Sequence, residues 1–182
     1  MTMRDIMIDL ETLSTRPDAM IVAIGAVKFG PEGLGEEYYA VVDTRYAVGH
    51  IDAMTVAWWM RQSEEARGIF QEGFRDTKHI AAALEGLIGF VGDAPDQVRV
   101  WGHGASFDLP ILESAFRACC RKAPWGHRAI RDTRTLYELA GVKVEMPEGE
   151  KHHALADAKA QALAVIRGVR ALGAWHIWSK AD

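Results

Sequence analysis

Two acidic residues follow an apolar run near the N-terminus. The run Ile6-Met7-Ile8 is typical of a buried strand, and Asp9 and Glu11 come directly after it. Because side chains alternate along a strand, Asp9 and Glu11 are expected on the same side. Buried carboxylates are costly unless a cation meets them, and carboxylate oxygens suit Mg²⁺ or Mn²⁺. The alternative is that Asp9 ends the strand and Glu11 is solvated in a loop.

A third carboxylate, Asp108, follows a predicted strand over residues 98–101 and a loop containing two glycines. It stands where a helix is predicted to begin. The alternative role is a helix N-cap, which is common and contributes about 1 kcal/mol. Phe107 lies beside this carboxylate, where it could stack on a base or sugar or belong to the core.

A third polar segment, residues 151–158, contains His152, His153 and Asp157. In a regular helix, residues 152 and 157 would lie about 140° apart. His152 is therefore predicted in the loop before the helix, folded back over the site that Asp157 faces. The alternatives are a surface histidine and an exposed helix carboxylate. Alanines at every second position from 154 to 162 would let this helix pack closely on a sheet.

The elements that must position these residues alternate between strand and helix patterns. The sequence predicts an α/β fold with a mixed sheet of about five strands flanked by helices, forming one domain over residues 1–182 with its core at 4–172 and a tail at 173–182. The first three strands are joined by short loops, which indicates an antiparallel meander. The predicted strands are residues 4–9, 21–29, 37–42, 98–101 and 128–130, and the main predicted helices are 55–61, 77–91, 109–120, 133–139 and 153–172.

The composition limits the class of protein. The chain has 182 residues, 49% of them hydrophobic and 25% charged, with a formal net charge of −4. This charge argues against a bulk polyanion binder but not against a nuclease with a metal-neutralised acidic site. The adjacent Cys119 and Cys120 indicate a reducing compartment. No signal peptide, membrane span or phosphate-binding P-loop is recognisable, so a cytoplasmic location without a membrane partner is expected.

The three acidic segments together resemble the DEDDh, or DnaQ-like, 3′→5′ exonucleases. The family patterns are D-x-E-T, H-N-A-x-F-D and H-x-A-x-x-D. They correspond here to residues 9–12 (DLET), 103–108 (HGASFD) and 152–157 (HHALAD), with Gly104 in place of the usual Asn. The stretches TVAWWM, WGHGASFD and DTR are most similar to the branch of ribonuclease AS-like exoribonucleases and a phage exodeoxyribonuclease A.

The resemblance implies a ribonuclease H-like fold and removal of nucleotides from a 3′ end with two Mg²⁺ or Mn²⁺ ions. It implies that Asp9 bridges both ions, that Glu11 and Asp157 complete one of them, and that Asp108 supports the other. It also implies that His152 is the general base for the attacking water. His153 is expected to be structural or exposed.

The predicted partner is single-stranded or 3′-overhang nucleic acid. The resemblance places Thr12 and Leu13 in the terminal-nucleotide pocket and suggests a homodimer. Phe107 and Trp59 are candidate stacking surfaces, although Trp59 is about equally expected in the core. The basic residues that could meet phosphates are Arg16, Arg61, Arg131, Arg134 and Lys151.

Two other functions compete with the metal-dependent exonuclease. The first is a binding module of the same fold without turnover. The second is a zinc hydrolase built on His103, His152, His153 and a carboxylate. The histidine spacing lacks H-E-x-x-H, and oxygen ligands suit harder ions than zinc.

Overall fold

The computed structural model describes residues 3–70, 77–92, 97–146 and 152–179. Its strands are β1 Asp5–Thr12, β2 Ile21–Gly30, β3 Gly33–Val41, β4 Arg99–Gly102 and β5 Ile130–Asp132. Its helices are α1 Ala53–Trp59, α2 Glu64–Arg67, α3 Ile80–Val91, α4 Asp108–Ala118, α5 Thr133–Ala140, α6 Ala154–Ala171 and α7 His176–Ser179, with a 3-10 turn at Gly68–Phe70.

The strands form one mixed sheet in the order β3-β2-β1-β4-β5. The first three strands are antiparallel, while β4 runs parallel to β1 and β5 runs parallel to β4. The predicted antiparallel meander and the five-stranded mixed sheet are therefore confirmed. The acidic segment lies on β1, the central strand.

Alternation along β1 divides its side chains between two helical layers. Ile6, Ile8 and Leu10 pack into a core with residues of α3 and α4. Met7 faces the opposite side and packs with residues of α5 and α6. Asp9 and Glu11 follow the parity of Met7 and therefore lie on the face that α6 covers.

Strand β1 continues past the predicted end at residue 9. Its pairing with β2 extends through Asp9 opposite Gly25 and Glu11 opposite Ala23. The carboxylates therefore project from a hydrogen-bonded strand and not from a loop. The strand was predicted to end at residue 9 because the apolar run stops there. Backbone pairing with β2 nevertheless continues through the acidic residues and keeps them in the sheet.

The helix boundaries agree with the predictions to within a few residues. Helix α3 begins at Ile80, three residues late, because the side chain of His79 accepts a hydrogen bond from the Ala81 N–H and caps it. The predicted cap of α5 is observed, since Asp132 accepts a hydrogen bond from the Arg134 N–H. The loop residues 147–151, Lys151 included, lie outside the described residues. Among the described helices, none has the length and apolar character to cross a bilayer.

The tail contacts the sheet through a buried carboxylate. Asp5 accepts hydrogen bonds from Trp178 Nε1 at 2.9 Å and from Trp101 Nε1 at 2.7 Å. It also forms a salt bridge with Arg99 at 2.6 Å. Through its bond to Asp5, Trp178 packs on the body of the domain.

Candidate active site

The first two carboxylates lie on the α6 face of β1. Glu11 is buried and Asp9 is half-buried. Asp9 Oδ1 accepts a hydrogen bond from Gln161 Nε2 of α6 at 2.8 Å. The strand fixes the spacing of the two acids, and α6 fixes the orientation of Asp9.

Asp108 reaches the same region from the start of α4. Its Oδ1 accepts a hydrogen bond from the Leu10 N–H of β1 at 3.2 Å, and its side chain is buried. The N-cap position of α4 is Phe107, which makes no side-chain cap. Asp108 is therefore not a helix cap, because its carboxylate bonds to the strand that carries Asp9.

His152 occupies the turn before α6, as the helical spacing predicted. Its φ is +65°, a left-handed conformation that is uncommon outside glycine. The His152 N–H donates to Asp157 Oδ2 at 3.1 Å. Asp157 thus holds the turn that returns the chain over the sheet, and the imidazole lies above the acidic face.

The residues from β1 and α6 converge on one point. Glu11, His152 and Asp157 each offer an oxygen or nitrogen atom, and these atoms all lie within 4.8 Å of one another. Asp9 is close enough to Asp108, Glu11 and Asp157 for its charge to be repelled by all three. The structure therefore brings together the five acidic and histidine residues that the sequence singled out.

The cluster disfavours negative charge. Burial, followed by repulsion from Asp157 and Asp108, raises the pKa of Glu11 to about 8. Burial also raises the pKa of Asp108 to about 7, opposed by hydrogen bonds from backbone N–H groups and by the nearby Arg134. Burial and then the repulsion of its three acidic neighbours raise the pKa of Asp9 well above its usual range.

These shifts predict how pH affects stability. A carboxylate with a raised folded pKa stabilises the fold fully below its unfolded pKa, near 4, and this contribution is lost as pH rises through the folded pKa. For Glu11 and Asp108 the loss extends to about pH 8. The unfolding midpoint of chelator-treated protein is therefore expected to fall between about pH 5 and 8, measured by calorimetry. The fall of the unfolding midpoint with pH should be less steep in Glu11→Gln than in the wild type. Equal pH dependence in the two proteins would show that the raised pKa of Glu11 is not its cause.

The donor set fits a divalent cation. Carboxylate oxygens dominate it, and such hard ligands suit Mg²⁺ or Mn²⁺. Among the described residues, no lysine or arginine forms a salt bridge with Asp9, Glu11 or Asp108. Added Mg²⁺ or Mn²⁺ should accordingly raise the unfolding midpoint more at pH 8 than at pH 5.

His103 and His153, the other two histidines of the zinc hypothesis, lie apart from this point. The exposed ring of His153 stacks on Tyr39 with centroids 4.5 Å apart, and its side chain caps α6. His103 Nδ1 lies 3.0 Å from Thr133 Oγ1 on the Asp108 side of the site. In the described part of the chain, the cluster suited to a metal contains His152 and neither of these two, so the three histidines form no joint zinc site.

The predicted substrate residues have mixed surroundings. Thr12 and Trp59 are buried, and the Trp59 indole N–H donates to the Thr12 carbonyl at 2.9 Å. Leu13 and Phe107 are half-buried and pack against core residues. Trp59 is 3% exposed, so its ring offers no face to a base and instead supports the end of β1.

Trp58, which the sequence did not select over its neighbour, lies outside the core. It is 38% exposed, and its ring stands edge-on to His152 with centroids 4.8 Å apart. Of the two adjacent tryptophans, Trp58 is therefore the one accessible beside the site.

Gly25 is a residue that sequence reasoning missed. It lies opposite Asp9 on β2, and a Cβ atom there would come within 2.2 Å of the Ala154 carbonyl carbon. Its lack of a side chain lets the first turn of α6 rest on the sheet beside the acids. A glycine in the interior of a strand pattern is the available signal, since it often marks close backbone approach.

Gln161 was also missed. Its side chain is buried, and its Nε2 donates to Asp9, while its Oε1 has no hydrogen-bond partner among the described residues. Reversing the amide would set two acceptors against each other, so Asp9 fixes its orientation. The spacing of four residues after Asp157 was the available signal, because it places Gln161 on the same helix face.

Replacing Gln161 by leucine is expected to lower metal affinity or activity about 10- to 100-fold, because Asp9 loses the partner that orients it. The Mn²⁺ concentration that gives half of the full shift in unfolding midpoint measures this without turnover. Leu163→Ala on the exposed side of α6 is the matched control. If neither this half-saturating Mn²⁺ concentration nor the rate changed in Gln161→Leu, the contact with Asp9 would be dispensable.

Comparison with known proteins places these residues in a family context. The family model described as 3'-5' exoribonuclease Rv2179c-like domain matches residues 4–167. The exodeoxyribonuclease of Enterobacteria phage T4 is 28% identical over 128 residues, covering 63% of this chain and 56% of that protein. The chain therefore spans little more than half the length of this curated relative.

Solved exonuclease structures share the fold. Exonuclease X in complex with 5' overhanging duplex DNA is 20% identical over 93% of both chains, with a TM-score of 0.59. Exonuclease I of E. coli in complex with a dA16 oligonucleotide is 17% identical over 95% of this chain and 42% of its own, with a TM-score of 0.66. The nuclease domain of 3'hExo, a DEDDh family member bound to rAMP, is 12% identical over 91% of both chains, with a TM-score of 0.60.

These likenesses confirm the predicted DEDDh, ribonuclease H-like fold, and the family match covers every acidic and histidine residue of the site. The family implies a divalent metal, in agreement with the cluster of Glu11, His152 and Asp157. The chain belongs to the Rv2179c-like family of 3'-5' exoribonuclease domains.

Proposed function

We propose that this chain is a metal-dependent 3′→5′ exonuclease that releases nucleoside 5′-monophosphates from single-stranded nucleic acid. The observation that carries this proposal is the meeting of Glu11, His152 and Asp157 within 4.8 Å, next to the carboxylates of Asp9 and Asp108. Carboxylates and a histidine from three distant segments at one place are the components that metal-assisted hydrolysis of a phosphodiester requires.

Four carboxylates would hold the metal ions. Asp9, placed among the other three, would contact two ions, Glu11 and Asp157 would complete one of them, and Asp108 would support the other. When bound, the pair of ions supplies charge stabilisation for an in-line displacement at phosphorus. The mutual repulsion of the carboxylates supports this assignment, since a cation relieves it.

The protein's own residues position the general base. His152 would accept a proton from the attacking water, and the Asp157 carboxylate holds its backbone N–H. The edge contact with Trp58 limits the rotation of the imidazole. Asp157 therefore serves the site twice, because it faces the metal position and also anchors the turn that carries the base.

Thr12 and Leu13 would line the pocket for the terminal nucleotide. Next to them, helix α1 and the residues flanking it present an exposed apolar surface that includes Ile51, Met54, Trp58 and Met60. Stacking of bases on an exposed aromatic ring does not depend on sequence. We propose Trp58, rather than the buried Trp59, as the stacking residue. Phe107, which is half-buried against the core of α3 and α4, stays a candidate.

The assay compares end-labelled DNA and RNA, each single-stranded and double-stranded, with Mg²⁺ and with Mn²⁺. Stepwise shortening from the 3′ end is expected. The family description favours RNA, whereas the phage relative is named for DNA, and the side-by-side rates decide between them. No shortening with either metal would overturn the proposal in favour of a binding module, and activity with Zn²⁺ alone would overturn its choice of metal. The homodimer stays a prediction, which light scattering on the full chain tests.

A further inference from the structure

Arg134 projects from the first turn of α5 towards the loop that precedes Asp108. If a Cβ atom were added at Gly104, it would lie 3.3 Å from Arg134 Cζ and 3.4 Å from its Nε. The guanidinium therefore lies directly against the position that a side chain at residue 104 would enter. The φ of Gly104 is +100°, which disfavours any other residue there. The site thus has an arginine at the place where the related motif carries an asparagine side chain.

The charge of Arg134 is directed at the site. Its guanidinium is near enough to Asp108 and His103 to affect the ionisation of both. Within the described residues, the guanidinium has no salt bridge, because the Asp132 carboxylate bonds instead to the Arg134 N–H and to Thr135 Oγ1. An arginine that is exposed and not neutralised by a carboxylate is available for a phosphate, which it can bind through two parallel N–H donors.

Arg134 and His152 belong to different groups of residues in the site. Glu11, Asp157 and His152 each offer a ligand atom within 4.8 Å of the others, whereas Arg134 lies near Asp108 and His103. In an in-line displacement the attacking and leaving oxygens lie on opposite sides of phosphorus. If His152 serves the attacking water, Arg134, which is grouped with Asp108 and not with His152, is available to the departing strand.

We propose that Arg134 is a substrate-binding residue that contacts the 5′-phosphate of the departing strand, the phosphate next to the scissile one. This inference rests on the proposed exonuclease function. It adds a residue that favours substrates with a further phosphate on the 5′ side of the scissile one. A dinucleotide without a 5′-phosphate lacks this contact.

The test compares a dinucleotide that carries a 5′-phosphate with the same dinucleotide lacking it. Charge-assisted hydrogen bonds contribute enough that Arg134→Ala should lower kcat/KM for the phosphorylated substrate about 10- to 100-fold. The substrate without the phosphate should be cleaved at the wild-type rate. Arg134→Lys should recover part of the loss, because it keeps the charge without the paired donors. Arg117→Ala, an exposed arginine at the end of α4, is the matched control.

A binding measurement separates this role from a structural one. In a His152→Asn background, in which turnover is suppressed, the affinity for the phosphorylated dinucleotide should fall with Arg134→Ala, and that for the other should not. Equal losses on both substrates, or no loss on either, would overturn the proposal while leaving the exonuclease assignment intact. If the wild-type protein cleaves neither dinucleotide nor any longer strand, the proposed function fails first.

Discussion

Replacing His152 by asparagine is expected to lower kcat about 10²- to 10⁴-fold, the usual contribution of a general base. Asparagine is the informative choice because position 152 has a φ of +65°, and asparagine tolerates the left-handed region. The His152 N–H would still donate to Asp157, so the turn before α6 is kept. The unfolding midpoint and the Mn²⁺ dependence should both stay near those of the wild type.

The neighbouring histidine provides the control. His153 is exposed, stacks on Tyr39 and caps α6 through the Ala156 N–H. His153→Asn retains a capping side chain, so wild-type activity is expected. If His152→Asn had the wild-type rate, the general-base role would be wrong. A rate restored by excess Mn²⁺ would instead identify His152 as a metal ligand.

The parts of the site that the sequence predicted depend on local periodicity. Alternation along a strand placed Asp9 and Glu11 on one face, and the observed partition of Met7 from Ile6 and Ile8 follows the same alternation. The angular spacing of a helix showed that His152 could not belong to α6 and still face the same site as Asp157. Both arguments concern residues within one element or at its end, where backbone geometry alone decides.

The parts that the sequence could not supply depend on contacts between elements. Helical periodicity shows that Trp58 and Trp59 diverge, but not which of them faces the core. Helical spacing from Asp157 places Gln161 on the helix face of the site, but its bond to Asp9, 152 positions away, depends on how α6 packs on β1. The position of Arg134 over Gly104 depends likewise on how α5 packs beside the loop after β4.

Gly25→Ala is expected to lower both stability and activity, because the added methyl group would meet backbone and not a flexible side chain. The Cβ atom would lie 2.2 Å from the Ala154 carbonyl carbon and 2.3 Å from the Leu155 nitrogen. No shortening of a side chain on α6 can relieve such a contact. Overpacking of this kind typically costs about 1–3 kcal/mol, which should appear as a lower midpoint in denaturant unfolding.

The loss of activity should exceed what the loss of stability explains. The start of α6 must move away from the sheet, and it carries His152 and Asp157 with it. Displacing catalytic groups by about 1 Å can lower a rate about 100-fold even when the protein remains folded. The measurement is kcat on the fraction of Gly25→Ala that is folded, at a temperature well below its midpoint.

Gly30→Ala on the same strand is the matched control for Gly25→Ala. A Cβ atom at Gly30 would meet Met3 at 3.7 Å, an ordinary contact, so a change within about 0.5 kcal/mol and an unchanged rate are expected. If Gly25→Ala matched Gly30→Ala in both stability and rate, the close seating of α6 on β2 would not be what holds His152 and Asp157 over the acids of β1. A fall in rate confined to Gly25→Ala would tie catalysis to the close approach of the α6 backbone to β2 at this position.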